Sequence, residues 1–203
     1  EVSLQSAKES MVLLKNEGVL PISRDTKKIA LIGPHADCAR KFFGGYTQMC
    51  MMESTYAVAN SIAGVSGSEN VDNKKIITVP GTNIQSDETE EFDEILKRQK
   101  PGCRSLLEEL REKMPDAEII YAYGYPIAGT DTSRFAEALE AVRKADVVIL
   151  TLGASTVPVP WHPWEKAWTV RISICRNARM PLSGCGGIGK TYDRVHFNGR
   201  PVS

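Results

Sequence analysis

The sequence predicts an α/β domain: a mostly parallel sheet with helices on both faces, a three-layer sandwich that is incomplete at the C-terminus. The apolar run Ile29 to Ile32 stops at Gly33-Pro34, which is typical of a buried parallel strand that opens into a loop. Asp146 to Gly153 is a second and clearer run of this kind. Helical and strand patterns alternate around these runs, which favours right-handed parallel connections.

The N-terminal elements follow from apolar spacing. Leu4 to Lys15 has apolar side chains at helical spacing and predicts a helix, capped near Asn16 and Gly18, that covers one face of the sheet. Met49 to Ala63 is compatible with a helix. Residues 64–102 are rich in Gly, Ser, Asn and Asp and are predicted to be a partly mobile segment, named the insertion below because the family resemblance given later implies one here. The acidic run Asp87 to Glu94 within this segment is predicted to be a solvated face.

Regular structure is predicted to resume after the insertion. Ser105 to Lys113 has the spacing of a helix, and Glu118 to Ala122 that of a strand. Asp131 to Ser133 is expected to cap a further helix that begins near Phe135. The predicted domain therefore spans residues 1–153.

Composition limits the function classes. The 203 residues suit one domain, and 25 acidic residues balance 25 basic ones, so nothing indicates a nucleic acid or an anionic membrane as partner. No apolar run has the length of a membrane span. The five cysteines are odd in number and lack a C-x-x-C pair, which predicts free thiols and a cytoplasmic location, although secretion stays open if the N-terminus is missing. No metal-ligand spacing and no cofactor motif is assigned.

The loop after the first strand is the candidate substrate site. Ligands of open α/β sheets bind at the carboxyl ends of the strands. Gly44 and Gly45 allow the backbone to approach a ligand closely, and Tyr46 offers an aromatic face on which a sugar ring can stack. The alternative for Tyr46 is packing inside the loop. His35 is interpreted as a hydrogen-bonding loop residue rather than a catalyst.

These residues also carry a family resemblance. Ala7 to Ile22 reads AKESMVLLKNEGVLPI, and the runs IALIGPHAD and FGGYT follow it in order. This pattern resembles the start of the second domain of glycoside hydrolase family 3, which contains β-glucosidases and β-xylosidases. The resemblance covers Val2 to Gly153 apart from the insertion, and resumes at Val195 to Ser203. It implies that the chain is a fragment of a retaining β-glucosidase-like enzyme, which hydrolyses terminal β-linked sugars of an oligosaccharide or glycoside. It also implies that the full enzyme has an N-terminal barrel domain.

The helical and strand periodicity of the preceding sequence ends at Gly153. Residues 154–194 contain all three tryptophans and are predicted to be irregular. Reading their codons from the third base can give Gly-Glu-Gly followed by LPxxQ, the continuation expected from the family. The hypothesis is that one base was lost near Ala154 and that the frame was recovered between about Gly186 and Val195. Residues 195–203 would then be the resumed family strand.

Catalytic residues are not assigned to this chain. A retaining glycosidase uses two carboxyl groups about 5 Å apart. The resemblance implies that the nucleophile lies in the barrel domain and that the acid/base comes from this domain, where its codon would overlap those of Glu165 and Lys166. Trp164-Glu165-Lys166 lacks the flanking glycines that would position such an acid. The chain alone is therefore expected to be inactive.

Two alternatives remain. The chain can be a non-catalytic carbohydrate-binding or docking remnant that uses the Gly44-Gly45-Tyr46 loop. Residues Gly184 to Thr191 also match the phosphate-binding pattern G-x-x-x-x-G-K-[ST] of nucleotide hydrolases. That pattern needs a buried strand before it and a helix after it, and the flanking sequence predicts neither, so a nucleotide hydrolase is disfavoured.

Overall fold

In the computed structural model, residues 1–16, 18–43, 47–53, 55, 79, 86, 88–127 and 130–153 are described, without the side chains of 14, 15 and 153. Residues 169–176 and 192–198 are described by their backbone. The helices are α1 (Val2–Glu9), α2 (Glu90–Gln99), α3 (Leu106–Lys113) and α4 (Phe135–Lys144), and a 3₁₀ turn spans Ala39–Phe42. The strands are β1 (Leu13–Lys15), β2 (Lys28–Ile32), β3 (Glu118–Ala122), β4 (Val147–Gly153), β5 (Thr169–Arg176) and β6 (Tyr192–Asn198).

The centre of the sheet is parallel, as predicted. Strand β2 lies between β3 and β4 and is parallel to both. Ile29 is in register with Ile119 on one side and with Val147 on the other. Both connections cross over through a helix, α3 before β3 and α4 before β4. This arrangement confirms the α/β class and brings the carboxyl ends of the three strands to one edge.

The two faces of β2 are covered by different helices. Successive strand residues point to opposite faces, so Ile29 and Leu31 pack with Leu107 of α3, whereas Ala30 and Ile32 pack with Ala138 of α4 and its neighbours. Residues 29–32 of β2 are each 2 % exposed or less. The described residues therefore have the predicted layers, with one helix on each face of the parallel strands.

The N-terminal helix differs from the prediction. Helix α1 ends at Glu9 instead of reaching Lys15, and none of its residues is buried, so it does not cover the sheet. Strand β1 follows and pairs antiparallel with β6. The side chain of Asn16 shapes the next turn: its Oδ1 accepts from the backbone N of Gly18 at 3.0 Å and of Leu20 at 3.2 Å. Asn16 thus organises the turn after a strand rather than a helix end, because pairing with a distant strand overrides the local periodicity.

The predicted insertion contains ordered structure. Helix α2 occupies its acidic part, and Phe92, Ile95 and Leu96 are buried against Ala39 and Met49. The acidic side chains of Glu88, Glu90 and Glu94 are exposed, as predicted for a solvated face. What the prediction did not include is the packing face that the apolar side chains between the acidic ones form on the opposite side of the helix. Residues 48–53 are helical, which confirms the beginning of the helix predicted from Met49.

Helix α4 begins without the predicted cap. Its N-cap residue is Arg134, which makes no side-chain cap bond. Asp131 instead accepts from the backbone N and the Oγ of Ser133, both at 2.9 Å, so that it closes a local turn before the helix. Asp131 prefers this bond because it satisfies its own neighbouring backbone.

The strands beyond β4, on the side of the sheet opposite β3, are antiparallel. The strand order is β1-β6-β5-β4-β2-β3, with β5 antiparallel to both β4 and β6. Strand β5 lies within the stretch predicted to be irregular. Its sequence, TVRISICR, alternates apolar and polar residues, which is a strand pattern. Residues 154–168 and 177–191, with the tryptophans and the Gly184–Thr191 motif, lie outside the described residues.

Candidate functional site

The carboxyl edge of the parallel strands is held together by direct bonds between the strand ends. Gly33, directly after β2, donates its backbone N–H to the carbonyl of Ala122 at 3.1 Å. The Thr151 hydroxyl in β4 donates to the carbonyl of Ile32 at 3.0 Å, and the Tyr125 hydroxyl donates to the carbonyl of Thr151. Gly33 has φ +116°, where an added Cβ would overlap the carbonyl and hydroxyl oxygens of Thr151. The ends of β2, β3 and β4 are therefore linked directly to one another by hydrogen bonds.

The loop after β2 is fixed against α3. The N-cap Ser105 and Glu108 form a reciprocal capping box, with Ser105 N donating to Glu108 Oε2 at 2.7 Å. The Ser105 hydroxyl also donates to Asp37 Oδ1 at 3.0 Å, and the backbone N of Leu107 to the carbonyl of Ala36 at 2.9 Å. The N-terminus of α3 thereby orients the loop that leads toward residues 44–46.

The sequence-predicted substrate residues Gly44, Gly45 and Tyr46 lie outside the described residues. Their flanks are described. The backbone N of Phe43 donates to the carbonyl of Arg40 at 3.2 Å, and the Cys50 thiol donates to the carbonyl of Phe43 at 3.4 Å. The thiol bond crosses from the helical residues 48–53 back to the residue that precedes the loop, so it joins the two flanks.

His35 is fully buried in the loop after β2, so its side chain is not at a surface that a substrate could reach. Glu165, which overlaps the expected acid/base codon, lies outside the described residues. Within the part of the chain that the structure describes, no group of histidine, cysteine, aspartate and glutamate side chains could hold a metal ion. No helix among the described residues is long and apolar enough to cross a membrane.

A buried ion cluster stands beside the predicted loop, and sequence reasoning missed it. The Arg40 side chain is 1 % exposed, and its Nη1 lies 3.3 Å from Glu53 Oε2 and its Nε 3.3 Å from Asp93 Oδ1. The guanidinium carbon is 5.0 Å from the centroid of the Phe92 ring. Lys41, the next residue, is also buried. Arginine and lysine are rarely buried without acidic partners, but nothing in the sequence indicates which carboxylates would pair with Arg40.

Burial governs the titration of this cluster. Burial raises the pKa of Glu53 above its ordinary value, and the nearby charges of Arg40 and Lys41 oppose that shift only in part. Burial likewise raises the pKa of Asp93 against the opposing charges of Arg40 and Lys97. For Arg40, burial alone would lower the pKa, but the charges around it outweigh burial and raise it. The guanidinium therefore stays charged while both carboxylates are held close to it.

A second ionic contact joins the insertion to the same edge of the sheet. Arg134, at the start of α4, lies 3.0 Å from Glu88 just before α2, and its guanidinium carbon is 4.3 Å from the centroid of the Tyr123 ring. Tyr123 follows β3 directly. The segment 88–99 is thus attached to the core at two places, Arg40 and Arg134, which together keep it at the carboxyl edge.

The described residues form an α/β domain. At its carboxyl edge, the loop after β2 is hydrogen-bonded to the N-terminus of α3. Residues 11–166 match the model of the glycosyl hydrolase family 3 C-terminal domain. This match covers more than half of the chain, so the chain belongs to that family. The resemblance stated from the motifs is confirmed.

Curated relatives match over much of this chain but over a small part of their own length. A periplasmic beta-glucosidase of Salmonella typhimurium is 28 % identical over 198 residues, which are 97 % of this chain and 22 % of the relative. A probable exo-1,4-beta-xylosidase of Aspergillus terreus is 27 % identical over 152 residues, 75 % of this chain and 13 % of the relative. The corresponding protein of Aspergillus fumigatus is 31 % identical over 152 residues. The chain thus spans less than a quarter of these relatives.

Proposed function

We propose that this chain supplies part of the sugar-binding edge of a retaining β-glycosidase that releases terminal β-linked glucose or xylose. The observation that carries the proposal is the family match over residues 11–166, which includes the loop at the carboxyl edge of β2. Relatives named as a beta-glucosidase and as exo-1,4-beta-xylosidases support both sugars. The substrate would be a β-linked oligosaccharide or glycoside, and Gly44, Gly45 and Tyr46 would contact it.

The chain alone is proposed to be inactive. Retaining hydrolysis needs a nucleophile and an acid/base on opposite sides of the scissile bond, and the expected nucleophile belongs to an N-terminal barrel domain. The exposed apolar side chains of Val2, Leu4, Met11 and Val12 agree with a further domain that packs against the N-terminal segment 2–12. A cytoplasmic location is also part of the proposal, supported by Cys38, Cys50 and Cys103, which form no disulfide among the described residues.

The test separates binding from turnover. Methyl β-xyloside and methyl β-glucoside are titrated into the 203-residue chain by calorimetry, and nitrophenyl β-xyloside and β-glucoside are assayed for release of nitrophenol. We expect weak binding of at least one methyl glycoside, lost in Tyr46→Ala, and no release of nitrophenol. Turnover by the chain alone would contradict the proposed inactivity. Absence of binding to both glycosides would contradict the proposed role of the loop.

The other candidate is the docking form of the alternative stated from the sequence, a remnant that uses the Gly44-Gly45-Tyr46 loop to bind a partner instead of a sugar. This docking form predicts no glycoside binding by the chain, whereas the substrate-edge proposal predicts binding that depends on Tyr46.

A further inference from the structure

The Arg40 cluster joins three segments that are separate in the chain. Arg40 belongs to the 3₁₀ turn that precedes residues 44–46, Glu53 to the helical residues that follow them, and Asp93 to α2 in the insertion. The pair Arg40–Glu53 therefore spans the two flanks of the predicted substrate loop. The pair Arg40–Asp93 attaches the insertion to the same point.

Other contacts repeat this connection. The Cys50 thiol donates to the carbonyl of Phe43, which again links the two flanks. The ring of Phe92 lies beside the Arg40 guanidinium, and Ala39 and Met49 from the two flanks share one apolar cluster with it. The flanks are thus joined by an ion pair, a thiol hydrogen bond and apolar packing.

We propose that Arg40 is a positioning residue for the substrate loop: its ion pairs with Glu53 and Asp93 hold Phe43 and Thr47, the described ends of the loop, at a fixed separation. The sugar-binding part of this inference rests on the proposed function of the loop. The guanidinium does not contact the substrate and acts through the backbone of both flanks. Helix α2, which carries Asp93, thereby contributes to holding the two flanks.

The geometry at this position matches the branched guanidinium of an arginine. Two different guanidinium nitrogens, Nη1 and Nε, serve two carboxylates from different segments. A lysine ammonium is a single point charge on a flexible chain and cannot reproduce this fork. Arg40→Lys is therefore expected to keep the buried charge and lose one of the two connections, which makes it a selective perturbation of positioning.

The experiment measures backbone hydrogen exchange of residues 43–53, with and without methyl β-xyloside. Arg40→Lys and Asp93→Asn are compared with the natural chain. Asp93 is half exposed, so Asp93→Asn is the milder change and keeps the test valid if Arg40→Lys does not fold. The matched control is Arg104→Lys, because Arg104 pairs with Glu109 and Glu112 on the exposed face of α3.

We expect at least tenfold faster exchange in residues 43–53 for both cluster variants, with unchanged exchange in β2, β3 and β4, and about threefold to tenfold weaker glycoside binding. Arg104→Lys should change neither. Unchanged exchange in residues 43–53, or an equal increase throughout the sheet, would overturn the positioning role. If the natural chain binds no methyl glycoside, the proposed function fails, and the exchange measured without sugar still decides whether Arg40 organises the loop.

Discussion

Replacing Arg40 with methionine tests the energetics of the buried cluster. The change keeps an unbranched side chain of partly similar volume but removes the cation beside Glu53, whose side chain is 4 % exposed. Breaking a buried ion pair by removing one partner costs about 3–5 kcal/mol, because an uncompensated buried charge remains. If the free energy of unfolding falls by about 2 kcal/mol per molar urea, a loss of about 4 kcal/mol of stability lowers the urea concentration at the midpoint of unfolding by about 2 M.

The cost of Arg40→Met should depend on pH. Without the guanidinium, the pKa of Glu53 rises further above its ordinary value, so the folded state binds a proton more readily than the unfolded state does. Stability is then regained as the pH falls toward the ordinary pKa of a glutamate, and each pKa unit of difference between the two states corresponds to about 1.4 kcal/mol. The loss measured by urea unfolding should therefore be smaller at pH 5 than at pH 7.

A double variant provides the control. Glu53→Gln removes the negative charge and resembles the protonated state that burial favours, so alone it should cost less than Arg40→Met. Combined with Arg40→Met, it should recover at least about 1 kcal/mol of the loss at pH 7, since contacting residues are not additive. A loss below about 1 kcal/mol for Arg40→Met, or no recovery in the double variant, would refute the reasoning.

Three further predictions concern the edge, a helix cap and pH. Gly33→Ala should lower the free energy of unfolding, measured by thermal unfolding, by about 3 kcal/mol, because the added Cβ would meet Thr151 at φ +116°. The control is Gly102→Ala, where an added Cβ meets nothing within 4 Å, and it should leave the stability unchanged or slightly higher. Ser105→Ala should cost about 1 kcal/mol in urea unfolding through loss of the cap, and a loss within error would contradict that cap. The stability of the natural chain relative to Glu53→Gln should fall as pH rises from 4.5 through the raised pKa, and the opposite slope in a pH series of urea titrations would show that the pKa is lowered.

Some features that the sequence analysis did not assign were nevertheless present in the sequence. Ser105 and Glu108 have the S-x-x-E spacing of a capping box, and both bonds of the box form. The alternation in Thr169–Arg176 is a strand pattern that the surrounding irregular sequence obscured. Phe92, Ile95 and Leu96, in and directly after the acidic run, likewise have the spacing of one helix face, although no helix was predicted there. These signals are local, because each depends only on residues within one segment of the chain.

Other features had no local signal. The three-residue strand β1 follows a helical pattern and exists because it pairs with β6, near the other end of the chain. The pairing of Arg40 with Glu53 and Asp93 likewise depends on how three segments meet. A charged residue in a sequence does not reveal whether its side chain will be buried or which partner it will find. The three substrate residues predicted from the Gly-Gly-Tyr motif remain predictions.

The sequence by itself determined the parallel centre of the sheet, the helices on its two faces and the family. Continuous apolar runs bury themselves on both sides, and helical spacing gives one apolar face, so both outcomes follow from neighbouring residues. Only the tertiary structure decided that α1 is exposed, that α2 packs against the residues flanking 44–46 and that Arg40 joins those two flanks. The physical reason is that burial of a charge is tolerated only where distant carboxylates converge on it, and that convergence is a property of the folded chain.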